Sequence, residues 1–374
     1  MWLWLAFSVS LVIQVYFYLI IFKKYAYFTG FTRQGPSDLE IGSEPAVSIV
    51  ICAKNEAEHL EQNLESIVNQ NYSNFEIVLV DDASDDDTLL IFNSFKKKYS
   101  ASSQPVHVLS IPKEDSQGKK KALSLGIQQA LNDLILLTDA DCRPSSRNWI
   151  KTMIDSFDPE KQLILGYGPY KKQNGSFLNK MIRYETLLTA IQYFSYALYG
   201  KPYMGVGRNL AYKKHLFEAN KGFESHLNVK SGDDDLFVNQ VGTAINTSIC
   251  DHPDSFMYSA PKGSLKTWIR QKRRHVSTSG HYQSSLQLML GAFYLSQIGF
   301  YVFGTILLVW GSFPLLTGFM IIARFSFYYL ILSKSAQKLE EKDLIRFAPL
   351  YEISVIFIQL YIFIANQISP ARHW

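Results

Sequence analysis

Cysteine is scarce in this chain of 374 residues: Cys52, Cys142 and Cys250 are its three, and no two of them form a C-x-x-C pair. That spacing argues against a disulfide framework and against zinc, and it fits a reducing compartment. A strong excess of one charge is missing as well. Lys and Arg number 37 against 33 Asp and Glu, a formal net charge of +4, which is too small to argue for a nucleic-acid partner. Charge is absent altogether from Met1 to Phe22, and Asp, Glu, Lys and Arg are absent from Val276 to Ala323. Stretches of that length suit a hydrocarbon core of about 30 Å.

The N-terminal run lacks the basic start and small-residue end of a cleaved signal peptide, and Lys23 and Lys24 follow it at once. It therefore reads as a transmembrane anchor over 1–24 whose end faces the cytoplasm. Gly311 and Pro314 divide the C-terminal run into spans near 286–309 and 313–333. A further span near 348–367 follows the charged loop Lys334, Lys338, Glu340, Glu341, Lys342, Asp343 and Arg346, so that 286–374 form a C-terminal transmembrane region. The pattern predicts a multi-pass protein of the cell membrane with both termini outside and a cytoplasmic catalytic body over 25–260. Between them, 261–285 carry Lys262, Lys266, Arg270, Lys272, Arg273 and Arg274, a basic amphipathic segment suited to membrane lipid headgroups or to an anionic ligand.

Within the body, Val47–Cys52 reads as a buried strand, and Leu60, Leu64, Ile67 and Val68 mark one face of a following helix. A strand at Phe75–Val80, a helix to about Tyr99, a strand at Val106–Ile111, a helix at Lys119–Leu131 and a strand from Leu134 continue the alternation. Strand and helix in turn imply right-handed crossovers and a Rossmann-like, mostly parallel sheet with flanking helices. Polar and acidic groups end the first, second and fourth strands: Asn55 and Glu56, Asp81 and Asp82, Asp139 and Asp141. Ligands of open α/β sheets bind at that strand edge, and carboxylates one residue apart suit a hard cation such as Mg²⁺ beside a phosphate.

These pieces, taken in order, resemble the family 2 glycosyltransferases, inverting enzymes of GT-A fold. The resemblance rests on Val47–Glu56, Val80-Asp81-Asp82-Ala83-Ser84, Gly118-Lys119, Asp139-Ala140-Asp141, Gly205–Ala211, Gly232-Asp233-Asp234-Asp235 and Gln271-Lys272-Arg273-Arg274-His275. The last is similar to the Gln-x-x-Arg-Trp motif of cellulose, chitin and hyaluronan synthases and of ceramide glucosyltransferase, with His275 in place of Trp. The resemblance implies a UDP- or GDP-sugar as donor, with Asn55, Glu56 and Asp82 lining its nucleobase and ribose and Asp81 supporting them. Lys119, Asp139, Gln271 and Arg274 would then bind the donor, with Asp139 and above all Asp141 holding Mg²⁺ or Mn²⁺. Asp234 and Asp233 would be the catalytic acids, Asp234 as the general base, with Asp233 and Asp235 as like-charged neighbours only one position away on either side. Lys54 stands where many members carry Tyr.

The implied acceptor is lipid-linked or a growing surface glycan of the cell envelope, as in polysaccharide biosynthesis, and few spans favour single transfer. The competing expectation is a catalytically inactive membrane scaffold of the same fold that binds nucleotide or glycan. The presence of Asp139, Asp141, Asp234 and Arg274 speaks against it. Segment 177–215, rich in Tyr, reads as an amphipathic interface helix. Arg324 and Glu352 fall inside predicted spans, where an unpaired charge is costly, so they are expected to pair across helices.

Overall fold

The computed structural model describes residues 1–30, 44–229 and 231–369. The expected 25–260 body thus includes residues 31–43 and 230, which lie outside the described ones. Two compact units result: an α/β unit of Thr29–Lys171 and Pro202–Pro261, and a helical unit of Met1–Phe28, Lys172–Lys201 and Lys262–Trp374.

Among the described residues of the α/β unit there are nine strands: β1 Val47–Ala53, β2 Phe75–Asp81, β3 Val106–Ser110, β4 Leu134–Asp139, β5 Cys142–Pro144, β6 Leu163–Gly166, β7 Leu210–Lys213, β8 Thr247–Cys250 and β9 Met257–Ser259. Seven of them form one sheet in the order β3-β2-β1-β4-β7-β6-β8, and β5 pairs with β9. β1, β2, β3 and β4 run parallel, as the alternating pattern requires. β7 is antiparallel to both β4 and β6, while β6 and β8 are parallel. Because β2, β1 and β4 are adjacent, the polar ends of these three strands emerge side by side.

Val, Ile and Leu fill β1, β2 and β4, which are buried along nearly their whole length. Such runs belong to strands covered on both faces. One cover is the helix Ala57–Val68, whose Leu60, Leu64, Ile67 and Val68 are buried in a core shared with Trp149 and Phe92. Another is the helix Lys119–Gln129. It comes close to the sheet because position 126 is glycine: a Cβ there would lie 2.6 Å from Val50 Cγ1 and 3.0 Å from Val80 Cγ2. Gly126→Val is expected to cost about 1–3 kcal/mol by overpacking, read as a lower melting temperature of the purified protein.

Among the described residues of the helical unit, four helices are long and apolar enough to cross a membrane: Trp2–Ala26, Ser284–Trp310, Pro314–Lys338 and Lys342–Ile368. A π-helical turn at Phe17–Phe22 interrupts the first. Small residues let helices approach, as where a Cβ on Gly299 would fall 2.3 Å from Ser10 Oγ. The helix Phe177–Leu198 belongs to this unit, and its Tyr184, Tyr193, Phe194 and Tyr196 are buried. Those rings are therefore not spread over a headgroup-facing surface as the composition led us to expect. Tyr184 instead shares a hydrogen bond of 2.6 Å with the Tyr328 hydroxyl, and Phe194 packs on Tyr25. Much of the charged loop is paired internally: Arg183 grips Asp343 with two hydrogen bonds of 2.9 and 2.6 Å and also donates to Glu341.

Candidate active site

The strand ends of the α/β unit are joined by a short network. Asn55 takes a positive φ of 58° and Ala83 one of 56°, conformations that non-glycine residues seldom adopt and that concentrate at binding sites. The Asn55 N–H donates to Ser84 Oγ at 3.0 Å, and Asn55 Oδ1 accepts from the Asp85 N–H at 2.7 Å. The Glu56 N–H donates to Thr88 Oγ1 at 2.9 Å. Asp82 accepts from Ser116 Oγ at 2.8 Å, which in turn accepts from Lys54 Nζ at 3.2 Å. Asp81 is buried, and its Oδ1 accepts no hydrogen bond from the described residues. An orphaned buried carboxylate oxygen is costly unless a ligand donates to it.

The second half of the site is an alternation of charges. Gly118, with φ +90°, turns the chain into the helix Lys119–Gln129 and sets Lys119 in its first turn. Lys119 Nζ lies 2.8 Å from Asp139 Oδ1 and 2.9 Å from Asp233 Oδ2, a cation bridging two carboxylates. Burial opposes its charge, but Asp139, Asp233 and Asp234 together hold its pKa well above the usual lysine range. Burial likewise works against the Asp233 carboxylate, and Lys119 outweighs it and keeps Asp233 below its ordinary value. The adjacent Lys120 secures the loop opposite, donating to the His226 and Val229 carbonyls at 2.6 and 2.8 Å.

Asp234 itself caps the helix Asp235–Val241, its Oδ1 accepting from the Asp235 N–H at 2.8 Å. Gly232, at φ +99°, bends the chain early enough for Asp233 to reach Lys119. The other oxygen, Asp234 Oδ2, accepts from the Gly207 N–H at 2.8 Å. Burial first, then the like charges of Asp233 and Asp235, push the Asp234 pKa up to about 7, against Lys119 and the Gly207 N–H, which favour the anion.

Gly207 was part of a motif in the sequence without a role of its own, and its N–H is a contact that sequence reasoning missed. Its place is secured by Asn209, which accepts from Trp149 Nε1 at 3.0 Å and donates to the Tyr167 and Ser255 carbonyls at 2.8 Å each. A Cβ at position 207 would stand 3.4 Å from Lys119 Nζ and 3.5 Å from both Asp233 Oδ2 and Asp234 Oδ2. Arg208 is a second omission: it stacks 4.5 Å above the Tyr170 ring and donates to Ser259 Oγ at 2.9 Å. Two glycines just before an arginine, Gly205 and Gly207, were the only signal for either.

Asp139, Asp141 and Cys142 offer ligand atoms that all lie within 4.8 Å of one another. Burial, with Asp141 and Asp139 beside it, pushes the Cys142 thiol well up, and Asp141 Oδ1 accepts from its Sγ at 3.3 Å. What remains for a cation is two carboxylates, Asp139 with 35% of its side chain exposed. That donor set fits a hard divalent ion such as Mg²⁺ or Mn²⁺ and does not resemble a thiolate site.

All the expected site residues up to Asp234 are thus in the α/β unit. Gln271 and Arg274 are on the helix Leu265–Val276 of the helical unit. There Lys272 pairs with Glu185 at 2.5 Å, and Arg273 donates from Nε to Asn366 Oδ1 at 2.9 Å. Trp268 on the same helix is buried.

Residues 48–220 match the family described as Glycosyl transferase family 2. Over 278 residues the chain is 25% identical to the "Probable glycosyltransferase YdaM" of Bacillus subtilis (strain 168), covering 71% of this chain and 63% of that protein. Over 182 residues it is 26% identical to the poly-β-1,6-N-acetyl-D-glucosamine synthase of Staphylococcus aureus (strain COL), covering 47% of this chain and 42% of the synthase. The chain thus spans about half the length of the curated relatives it matches. Among solved structures, the mannosyltransferase PcManGT from Pyrobaculum calidifontis, in complex with GDP-Man and Mn²⁺, superposes with a TM-score of 0.59 at 17% identity, covering 94% of this chain and 99% of the other. The parallel sheet with acids at its strand ends and the superposition agree that the fold is GT-A-like, and within it residues 48–220 are similar to the glycosyl transferase family 2.

Proposed function

We propose that the protein is a membrane-anchored, metal-dependent inverting glycosyltransferase that moves a sugar from a UDP- or GDP-sugar to a hydroxyl of a lipid-linked or surface-glycan acceptor. The observation that carries this reading is the Asp234 carboxylate, with its pKa near 7, in the same unit as the paired acids Asp139 and Asp141. The acceptor oxygen forms a bond to the anomeric carbon as the bond from that carbon to the nucleoside diphosphate breaks. Asp234 takes the acceptor's proton, and attack opposite the leaving group inverts the configuration.

Asn55, Glu56, Asp81 and Asp82 are assigned to the nucleobase and ribose, where the orphaned Asp81 Oδ1 has a use for a donor N–H or hydroxyl. Lys119 is assigned to the diphosphate, a counter-ion held ready between Asp139 and Asp233. Asp141, with Asp139, would hold Mg²⁺ or Mn²⁺, which when bound supplies positive charge to stabilise the departing diphosphate. The metal in the complex of the mannosyltransferase neighbour supports this assignment. Arg274 and Gln271 are assigned to the diphosphate as well, since a guanidinium suits phosphate oxygens. A cytoplasmic α/β body with four crossings, divided as anchor 1–24, body 25–260, interface segment 261–285 and membrane region 286–374, completes the reading, and the helices support it. The synthase relative favours an envelope glycan as the eventual product.

The test is release of nucleoside diphosphate by the purified full chain from a panel of UDP- and GDP-sugars, with an acceptor extract. Turnover with one donor is expected, lost on chelation and restored by Mg²⁺ or Mn²⁺. Asp141→Asn should raise the metal concentration needed for half-maximal rate. Nucleotide binding with no turnover on any donor would favour the inactive scaffold.

A further inference from the structure

The helical unit contains a cavity of about 260 Å³. Its walls are largely apolar, with Phe22, Leu290, Phe293, Ile331, Val355 and Phe363 drawn from all four of the long apolar helices. An apolar cavity of about 150 Å³ is already enough for a benzene ring. This one has room for a length of chain.

Its polar lining is specific. Gln192, half-buried, and Gln359, exposed, line the cavity, and neither amide has a hydrogen-bond partner among the described residues. Along membrane spans such amides have no bulk water to pair with, so two on one cavity suit a ligand that both donates and accepts. Glu185 and Glu352 are the charged residues of the lining. Each already has its cation: Lys272 lies 2.5 Å from Glu185, and Arg324 holds Glu352 with two hydrogen bonds of 2.9 and 2.5 Å. No Lys, Arg or His is among the lining residues to balance the charge of a phosphate.

We infer that this cavity takes the chain of a membrane lipid whose head carries hydroxyl or amide groups and no charge. The apolar walls hold the chain, Gln192 and Gln359 bind the head, and a lining without a free cation gives an anionic head no counter-charge. Such a lipid is either a resident of the bilayer or a molecule that receives the sugar, and the inference stands apart from the transferase reading.

The experiment uses the full chain in nanodiscs with a photoactivatable diacylglycerol and, in parallel, a photoactivatable polyprenyl phosphate. Crosslinks from the diacylglycerol are expected on 188–192, 290–297 and 355–359, suppressed about tenfold by excess unlabelled diacylglycerol. Leu290→Trp, which fills the cavity, should lower labelling to a similar degree. Gln359→Leu removes one amide without adding bulk and should weaken labelling even if the tryptophan variant fails to fold. Crosslinks spread evenly over the outer helix faces, or indifferent to both substitutions, would overturn the site. Equal labelling by the phosphate probe would overturn the uncharged head. Adding the sugar-nucleotide panel separates the two sources: a recovered lipid heavier by one sugar is an acceptor, and an unchanged one is a bilayer resident. Binding needs no turnover, so failure of the transferase reading shows only in this last arm.

Discussion

Asp234→Asn is expected to lower the rate of sugar transfer by about 10²–10⁴-fold, the range that a positioned general base contributes. The substitution is nearly isosteric. Asn can still accept from the Gly207 N–H or cap the helix Asp235–Val241, the two duties Asp234 performs through its two oxygens. It cannot take a proton from an acceptor hydroxyl. Donor binding, measured by titration with the nucleotide-sugar, should change little, because Asn55, Asp81, Asp82 and Asp139 are untouched. Loss of donor binding in place of turnover would sink the assignment of Asp234 as base.

The same residue sets a pH signature. Its pKa is raised to about 7 by burial and by Asp233 and Asp235, with Lys119 and the Gly207 N–H pulling the other way. Since the active form is the carboxylate, transfer should fall as pH drops through about 7, with a slope of one proton, and reach a plateau above it. In Asp234→Asn the residual rate should lose that limb. A wild-type profile flat from pH 5 to 8, from about two units below that pKa to about one above it, would remove Asp234 from the proton transfer.

The second large effect is on stability. Glu352→Gln is expected to cost about 3–5 kcal/mol, because it leaves the buried Arg324 without its counter-charge. Glu352 accepts from Gln297 at 3.0 Å, from Tyr301 at 2.5 Å and twice from Arg324. Arg324 in turn donates to Gln14 at 2.7 Å and to Tyr18 at 3.0 Å. One ion pair therefore ties together side chains from all four long helices. A neutral amide offers one accepting atom where the carboxylate offered two, and it turns an N–H₂ toward an existing donor. The readouts are yield of folded protein and melting temperature in detergent. Replacing both partners by Leu removes the charge and its counter-charge together, so most of the lost stability should return. A single variant with the melting temperature of the parent would show that the pair is dispensable.

Pairing of Arg324 with Glu352 was legible from the sequence, because two opposite charges inside apolar runs have few alternatives to each other. Their partners Gln14 and Tyr18 were not: neither residue is unusual in an apolar helix, and both act across hundreds of positions. The tyrosines of 177–198 misled for a related reason. An aromatic side chain suits a sugar, a headgroup and a protein core equally well, and only the neighbouring helices decided for the core.

The sheet was readable through β4 because its information is local. A run such as Leu134–Leu137 states its own burial, the acids that follow state where it stops, and the chirality of parallel crossovers places β1, β2 and β4 with their polar ends on one edge. The residue types of the site, acids on successive strand ends with a further acidic cluster at 233–235, were legible for the same reason. What only the tertiary structure decided are the contacts between them. The entry of β7 antiparallel to β4 presents the Gly207 N–H to Asp234, and the bend at Gly232 lets Lys119 span Asp139 and Asp233. Periodicity records what each residue does relative to its near neighbours. The pKa of a carboxylate depends on charges and N–H groups brought to it from distant segments, and no local pattern records those.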